Sequence, residues 1–76
     1  MGRIPAQLKI ASRVHVFRAE ARLSQQELGE AIGVTRATIN AIESGGYNPS
    51  LELAFRLARY FKTDINQLFA VEEKKK

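Results

Sequence analysis

Side chains able to do chemistry are sparse in this chain. A single histidine, His15, and no cysteine leave no thiolate nucleophile, disulfide or thiolate metal site, and the scattered carboxylates have no metal-cluster spacing. No nucleophile, base and orienting group converge on any motif, which argues against an enzyme. What remains is recognition by hydrogen bond and charge. The stretch TRATINAIES, 35–44, carries Arg36, Thr38 and Asn40 among small residues, with Ile39 and Ile42 three apart. A step of about 100° per residue along a helix gathers the two isoleucines on one face. Ala37, Ala41 and Ser44 then point outward, with Arg36, Thr38 and Asn40 on the flanks. The result is a helix with a low outer face and a few planar polar groups.

The residues just before it must position that face. Ser24 followed by Glu27 is a capping box, in which each side chain satisfies a free backbone N–H of a helix start. Leu28 and Ile32 are four apart and share a face. Gly33 stands where a chain leaving a helix needs positive φ; Val34 fills the corner and Thr35 is the next N-cap. Gly29 falls where two helices joined so tightly must cross, a placement costing about 1 kcal/mol relative to alanine in a helix. These signals predict a helix-turn-helix.

Further elements surround the pair. Ile10, Val14, Phe17 and Ala21 recur at helical spacing and predict a helix over 6–21, with Pro5 near its first turn. Gly45, Gly46, Tyr47, Asn48 and Pro49 form a loop. Ser50 caps a helix to Phe61 that buries Leu53, Ala54, Leu57, Ala58 and Phe61. Asp64 and Gln67 repeat the capping-box signature before a short helix with Ile65, Leu68 and Phe69. No segment alternates over strand length, so the expectation is an all-α, five-helix domain without a sheet. At 76 residues there is room for one domain, burying only about 60% of its unfolded surface. No apolar run nears the ~20 residues of a membrane span, and neither a signal-peptide pattern nor a myristoylation motif stands after Gly2. These features and the lack of cysteine fit a cytoplasmic protein. A net charge of +4 and a pI near 9.9 fit a polyanionic partner. Lys74, Lys75 and Lys76, beside Glu72 and Glu73, are expected to be a solvated tail.

RLSQQELGEAIGVTRATINAIESG, then YNPSLELAFRLARYF, then DINQLF, resemble the phage-repressor (Cro/C1, or XRE) class of helix-turn-helix regulators, in its compact single-domain form. The resemblance covers about 12–69. It divides the chain into an N-terminal extension and helix start (1–11), the DNA-binding domain (12–69) and a tail (70–76). It implies sequence-specific binding of double-stranded DNA and transcriptional regulation, more often repression, by a homodimer on a near-palindromic operator. No cofactor, metal, membrane or small-molecule effector site is implied. In this likeness Gln25 contacts a phosphate and braces the recognition helix, and Thr35 adds a phosphate contact to its capping role. Arg36 pairs with guanine or with phosphate, Asn40 with adenine, and Ala37 meets a thymine methyl. Thr38, Ala41 and Ser44 complete that face, and Arg13 on the first helix reaches a phosphate, Lys9 less readily. Arg18 and Glu43 form a salt bridge tying the first helix to the end of the third, or else remain exposed charges. Leu68, Phe69 and Val71 form the dimer surface or else complete the monomer core.

Departures from the family pattern matter too. Ala37 and Ala41 stand where relatives carry long polar residues, which predicts reliance on phosphate contacts and DNA shape. Arg22 replaces a common glycine and is either strained in a left-handed conformation or turned toward DNA. Lys62 replaces another glycine and is expected to be a surface residue, while Gly46 stands where lysine is frequent. His15 is expected to be exposed. The Tyr47 ring packs over its loop, or its hydroxyl meets a phosphate. A second class of function is an antitoxin-like interaction subunit with secondary DNA binding.

Overall fold

Capping chemistry sets the starts of three helices where the sequence puts them. The computed structural model describes residues 9–72, so the expectations for Gly2, Pro5 and Lys74 to Lys76 lie outside the described residues. The elements are β1 (Ile10–Ser12), α1 (Val14–Glu20), α2 (Gln25–Ile32), α3 (Arg36–Ser44), α4 (Leu51–Phe61), α5 (Ile65–Leu68) and β2 (Phe69–Val71). Ser24 Oγ accepts from the Glu27 N–H at 3.0 Å while Glu27 Oε1 accepts from the Ser24 N–H at 2.8 Å, closing the capping box of α2. Thr35 Oγ1 accepts from the Thr38 N–H at 3.2 Å, and Ser50 Oγ from the Leu53 N–H at 3.1 Å.

Each helix turns one stripe inward. Val14, Leu28, Ile32, Ile39, Ile42, Leu53, Leu57, Ala58 and Leu68 form a single core. Phe17, Leu23, Val34, Phe61, Ile65 and Phe69 pack at its margin, and the Phe17 and Phe61 rings meet at 5.6 Å.

The ends of the domain differ from expectation. Residues 10–12 do not extend α1; they pair antiparallel with β2, in the register Ile10 to Val71, Ala11 to Ala70 and Ser12 to Phe69. The Arg13 N–H donates to the Leu68 carbonyl at 2.8 Å and the Glu72 N–H to the Lys9 carbonyl at 2.7 Å, continuing the ladder. Three residues are too few to show alternation, and the partner strand is remote in sequence, so no local pattern betrays the pairing. The divisions at 11/12 and 69/70 therefore fall inside the sheet rather than at the edges of the fold. Asp64 makes no side-chain cap; the Gln67 N–H donates to its backbone carbonyl at 2.9 Å instead. Phe69 belongs to β2, not to α5.

Two non-glycine residues end helices in the left-handed region, Arg22 at φ 59° and Lys62 at φ 55°, so Lys62 is more than a surface residue. Each carries strain of roughly 1–2 kcal/mol. Lys62→Gly should relieve part of it, raising stability by about 0.5–1 kcal/mol after the greater freedom of glycine in the unfolded chain is deducted. Gly29→Ala should act oppositely. A Cβ there would lie 2.7 Å from the Val34 carbonyl oxygen, and the overpacking should cost at least about 1–3 kcal/mol. Urea denaturation of both variants checks the pair of signs.

Candidate nucleic-acid interface

Three residues make the corner that presents α3. Gly33 takes φ 86°, which an L side chain resists, and its N–H and that of Val34 both donate to the Gly29 carbonyl at 2.8 Å. Val34 drops into the margin of the core. Thr35, extended at φ −82° and ψ 162°, starts α3 directly.

Within α3 the inward and outward sets separate cleanly. Ile39 and Ile42 are buried, whereas Arg36, Ala37, Asn40 and Ser44 are exposed and Thr38 and Ala41 half-buried. Thr38 Oγ1 shares a 3.1 Å hydrogen bond with Thr35 Oγ1. Ser44 Oγ donates to the Ala41 carbonyl at 3.1 Å, so its hydroxyl proton is committed to its own helix. Arg36 and Asn40 are the long polar groups left on this surface.

A polar network holds it from behind. Arg18 Nε donates to Glu43 Oε2 at 2.7 Å and Arg18 Nη2 to Glu43 Oε1 at 3.1 Å, a bidentate pair. Arg18 Nη1 donates to the Leu23 carbonyl at 2.8 Å, a contact the sequence does not announce. The side chains are 21% and 8% exposed respectively, so this is a largely covered bridge between α1 and α3 rather than a pair of solvated charges. Gln25, the first residue of α2, donates through Nε2 to Glu43 Oε1 at 3.0 Å and to Asn40 Oδ1 at 3.3 Å. It thus braces α3 from the N-terminus of α2, where free N–H groups favour an anion.

The charges of the pair reinforce one another. The hydrogen bond to Glu43 raises Arg18 above its ordinary value against the opposing pull of burial. Burial pushes the Glu43 carboxyl up, but the hydrogen bonds from Arg18 and Gln25, with the charges of Arg18 and His15, outweigh it and hold the group below the usual glutamate value. His15 is exposed.

Other candidates fall elsewhere. Arg13 is exposed, but its Nε donates to the Gln67 carbonyl at 3.2 Å, spending one donor on the end of α5. Tyr47 is exposed. Leu68 is fully buried and cannot form a dimer surface; Phe69 is half-buried against the core, and Val71 alone of the three is open. Sequence reasoning missed the exposed Leu51 and Phe55 on α4, at 71% and 52%. Their (i, i+4) spacing is the signal for them, masked by the inward stripe of Leu53 and Leu57 on the same helix. Leu51 borders an open groove of about 560 Å³ lined by Ile10, Pro49, Ala54, Ile65 and Phe69.

Comparison with known proteins agrees with this geometry. A helix-turn-helix family model matches residues 16–68. An uncharacterised HTH-type transcriptional regulator of Archaeoglobus fulgidus is 44% identical over 62 residues, 82% of this chain and 87% of that protein. The cryptic phage CTXphi transcriptional repressor RstR of Vibrio cholerae is 33% identical over 83% of this chain and 57% of its own. The solution structure of the SOS-response transcriptional repressor LexA from Eubacterium rectale superposes with a TM-score of 0.69 at 29% identity, covering 82% of this chain and 64% of that one.

The network makes a pH prediction. With its pKa depressed in the folded state, Glu43 contributes stability that is complete above the unfolded glutamate value of about 4.3 and drains away as pH falls through the lower folded value. Glu43→Gln should flatten the stability curve across that acid window. Glu43→Ala at neutral pH should cost about 2–3 kcal/mol, lowering Tm by roughly 10–20 °C. Chemical denaturation across a pH series and thermal melting measure the two effects.

Proposed function

This chain belongs to the Cro/C1-type (XRE) helix-turn-helix family of DNA-binding transcriptional regulators, and from that premise we propose that it is a homodimeric repressor of a near-palindromic operator. The observation that carries the proposal is α3 itself, with Ile39 and Ile42 anchored in the core and Arg36, Ala37 and Asn40 bare on the opposite side. One such helix reads too few base pairs for a useful site. Two related by a twofold axis meet successive major grooves about 34 Å apart. The 33% identity to a phage repressor supports repression as the outcome of occupancy.

The free backbone N–H of Gln25 at the start of α2 contributes a phosphate contact, both hydrogens of its amide being donated to Glu43 and Asn40; Thr35 and Arg13 contribute others, and Arg36 and Asn40 the polar base contacts. Ala37, Ala41, Thr38 and Ser44 provide a shallow surface that lets the helix sit deep in the groove. With so few groups to spend on bases, affinity leans on the backbone and on DNA shape. The dimer surface is the apolar side of α4, Leu51 and Phe55, together with the adjoining groove and Val71, in place of Leu68. A large exposed apolar patch of this kind marks an association site.

Two measurements test the reading. If the dimer neutralises about 6–10 phosphates, log K against log salt should slope at about −5 to −9; a flat response would count against DNA binding. Leu51→Asp combined with Phe55→Glu should yield a folded monomer in sedimentation and weaken operator binding by about 100-fold, through loss of linked half-site contacts. A variant that stays dimeric would move the interface elsewhere.

A further inference from the structure

The geometry points to a second docking surface, on the side of α4 that faces α2: a cationic cleft that takes an acidic, aromatic-bearing segment of another protein. Ala31 and Ile32 from the end of α2 and Arg56, Arg59 and Tyr60 from α4 line an open volume of about 390 Å³. A step of about 100° per residue sets Phe55 and Tyr60 about 140° apart around α4. The cleft and the proposed dimer surface therefore fall on different flanks, with Arg59 on the ridge between them. The DNA-facing side does not reach it either. α2 runs from Gln25 to Ile32, about 12 Å at 1.5 Å per residue; its first residue braces α3, and its last lines the cleft.

Charge and shape select the occupant. Two guanidiniums line the cleft and no carboxylate does. Arg56 is held in place: Nη1 donates to the Ile32 carbonyl at 3.0 Å, at a helix end where carbonyls lack intrahelical partners, and Nη2 donates to Glu52 Oε2 at 2.9 Å. Its side chain is still 52% exposed, with N–H donors to spare. Glu52 balances that charge. Arg59 is exposed and has no ion pair or side-chain hydrogen bond among the described residues. Three residues on from Arg56, it stands about 5–6 Å away at Cβ, so neighbouring carboxylates can engage the two together. Exposed Ala31 and Tyr60 add an apolar floor, with the Tyr60 ring set edge-on to Phe61 at 5.2 Å. A phosphate backbone has no use for that floor. An aromatic side chain beside a carboxylate does, stacking on the ring or on a guanidinium, and Tyr and Arg are enriched where proteins meet. Lys74 to Lys76 of this chain share the sign of the cleft and do not suit it.

The probe is a labelled peptide in which aspartate alternates with phenylalanine, compared with its asparagine–phenylalanine and aspartate–serine counterparts. The full chain should bind it with a Kd below about 100 μM and each counterpart at least about tenfold more weakly. Amide chemical-shift changes should centre on Ala31, Arg56, Arg59 and Tyr60. Arg59→Glu and Ala31→Glu, both at exposed helical positions, should keep the wild-type melting midpoint and weaken binding at least about tenfold. Lys74→Glu, with the same change in charge as Arg59→Glu, should stay within about threefold. No binding, equal binding of either counterpart peptide, shift changes confined to α3, or an equal loss in Lys74→Glu would overturn the cleft. On DNA, Arg59→Glu and Lys74→Glu should give equal slopes of log K against log salt. A slope shallower by about one or more in Arg59→Glu alone would make Arg59 a phosphate contact, and self-association abolished by Arg59→Glu would make the occupant a second copy; either overturns the proposal. A wild type that binds no DNA would remove the operator reading and leave the peptide result standing.

Discussion

The close approach of Gly29 to the Val34 carbonyl governs the rest of the molecule. With only 2.7 Å between that oxygen and the site of a would-be Cβ, α2 and the corner after it touch through backbone. Any larger residue would lever the helices apart. Keeping them tight lets a three-residue corner suffice, and it brings the start of α2 alongside the middle of α3. Gln25 can then reach both Asn40 and Glu43. The intrinsic helix penalty of glycine is small beside what the contact makes possible.

Two kinds of force hold α3 at that angle, and they do different work. Burial of Ile39 and Ile42, each worth about 1.5–3 kcal/mol, anchors the helix but is tolerant of small rotations about its axis. The Arg18 fork is not: a planar guanidinium meeting a carboxylate through two donors has a fixed direction. Its third contact, to the Leu23 carbonyl, ties the same group to the segment between α1 and α2. One side chain therefore references the outer helix to both of its predecessors. The hydrophobic contacts supply energy and the polar ones supply registration.

Legibility in the sequence follows the range of each interaction. The capping box at Ser24 and Glu27, the caps at Thr35 and Ser50 and the turn at Gly33 are local, so residue type and spacing announce them. Inward stripes of α2, α3 and α4 are equally plain because each repeats within one helix. The pairing of Ile10 with Val71 is not local, and strands of three residues leave no period to detect; Ile10 also falls in phase with Val14, Phe17 and Ala21, so the spacing reads as one helix over 6–21. Asp64 shows the opposite failure, a correct signature whose side chain makes no cap because a backbone hydrogen bond already engages the Gln67 N–H. The sequence leaves Leu68 open between an outer surface and the monomer core because a terminal position suggests exposure; its full burial in the core decides for the second. The members of the α3 network were visible as types. Their connectivity was not, since it depends on where a tight corner carries them.

The same carboxylate ties α1 to α3 and, through Gln25, holds the Asn40 amide, and this follows from how hydrogen-bond direction propagates. A neutral amide can turn over at little cost, so an isolated Asn40 would offer donor or acceptor as each base required. Coupled through Gln25 to a carboxylate, its orientation is decided by a charge that stays ionised at neutral pH. Fixing the amide lowers the freedom Asn40 has left to lose when it meets a partner. On a helix whose exposed residues include Ala37 and few long polar groups that restriction has value, because a polar group already held in place loses less freedom on contact than a mobile one. Economy of polar groups on the outside thus depends on a well-connected network just beneath.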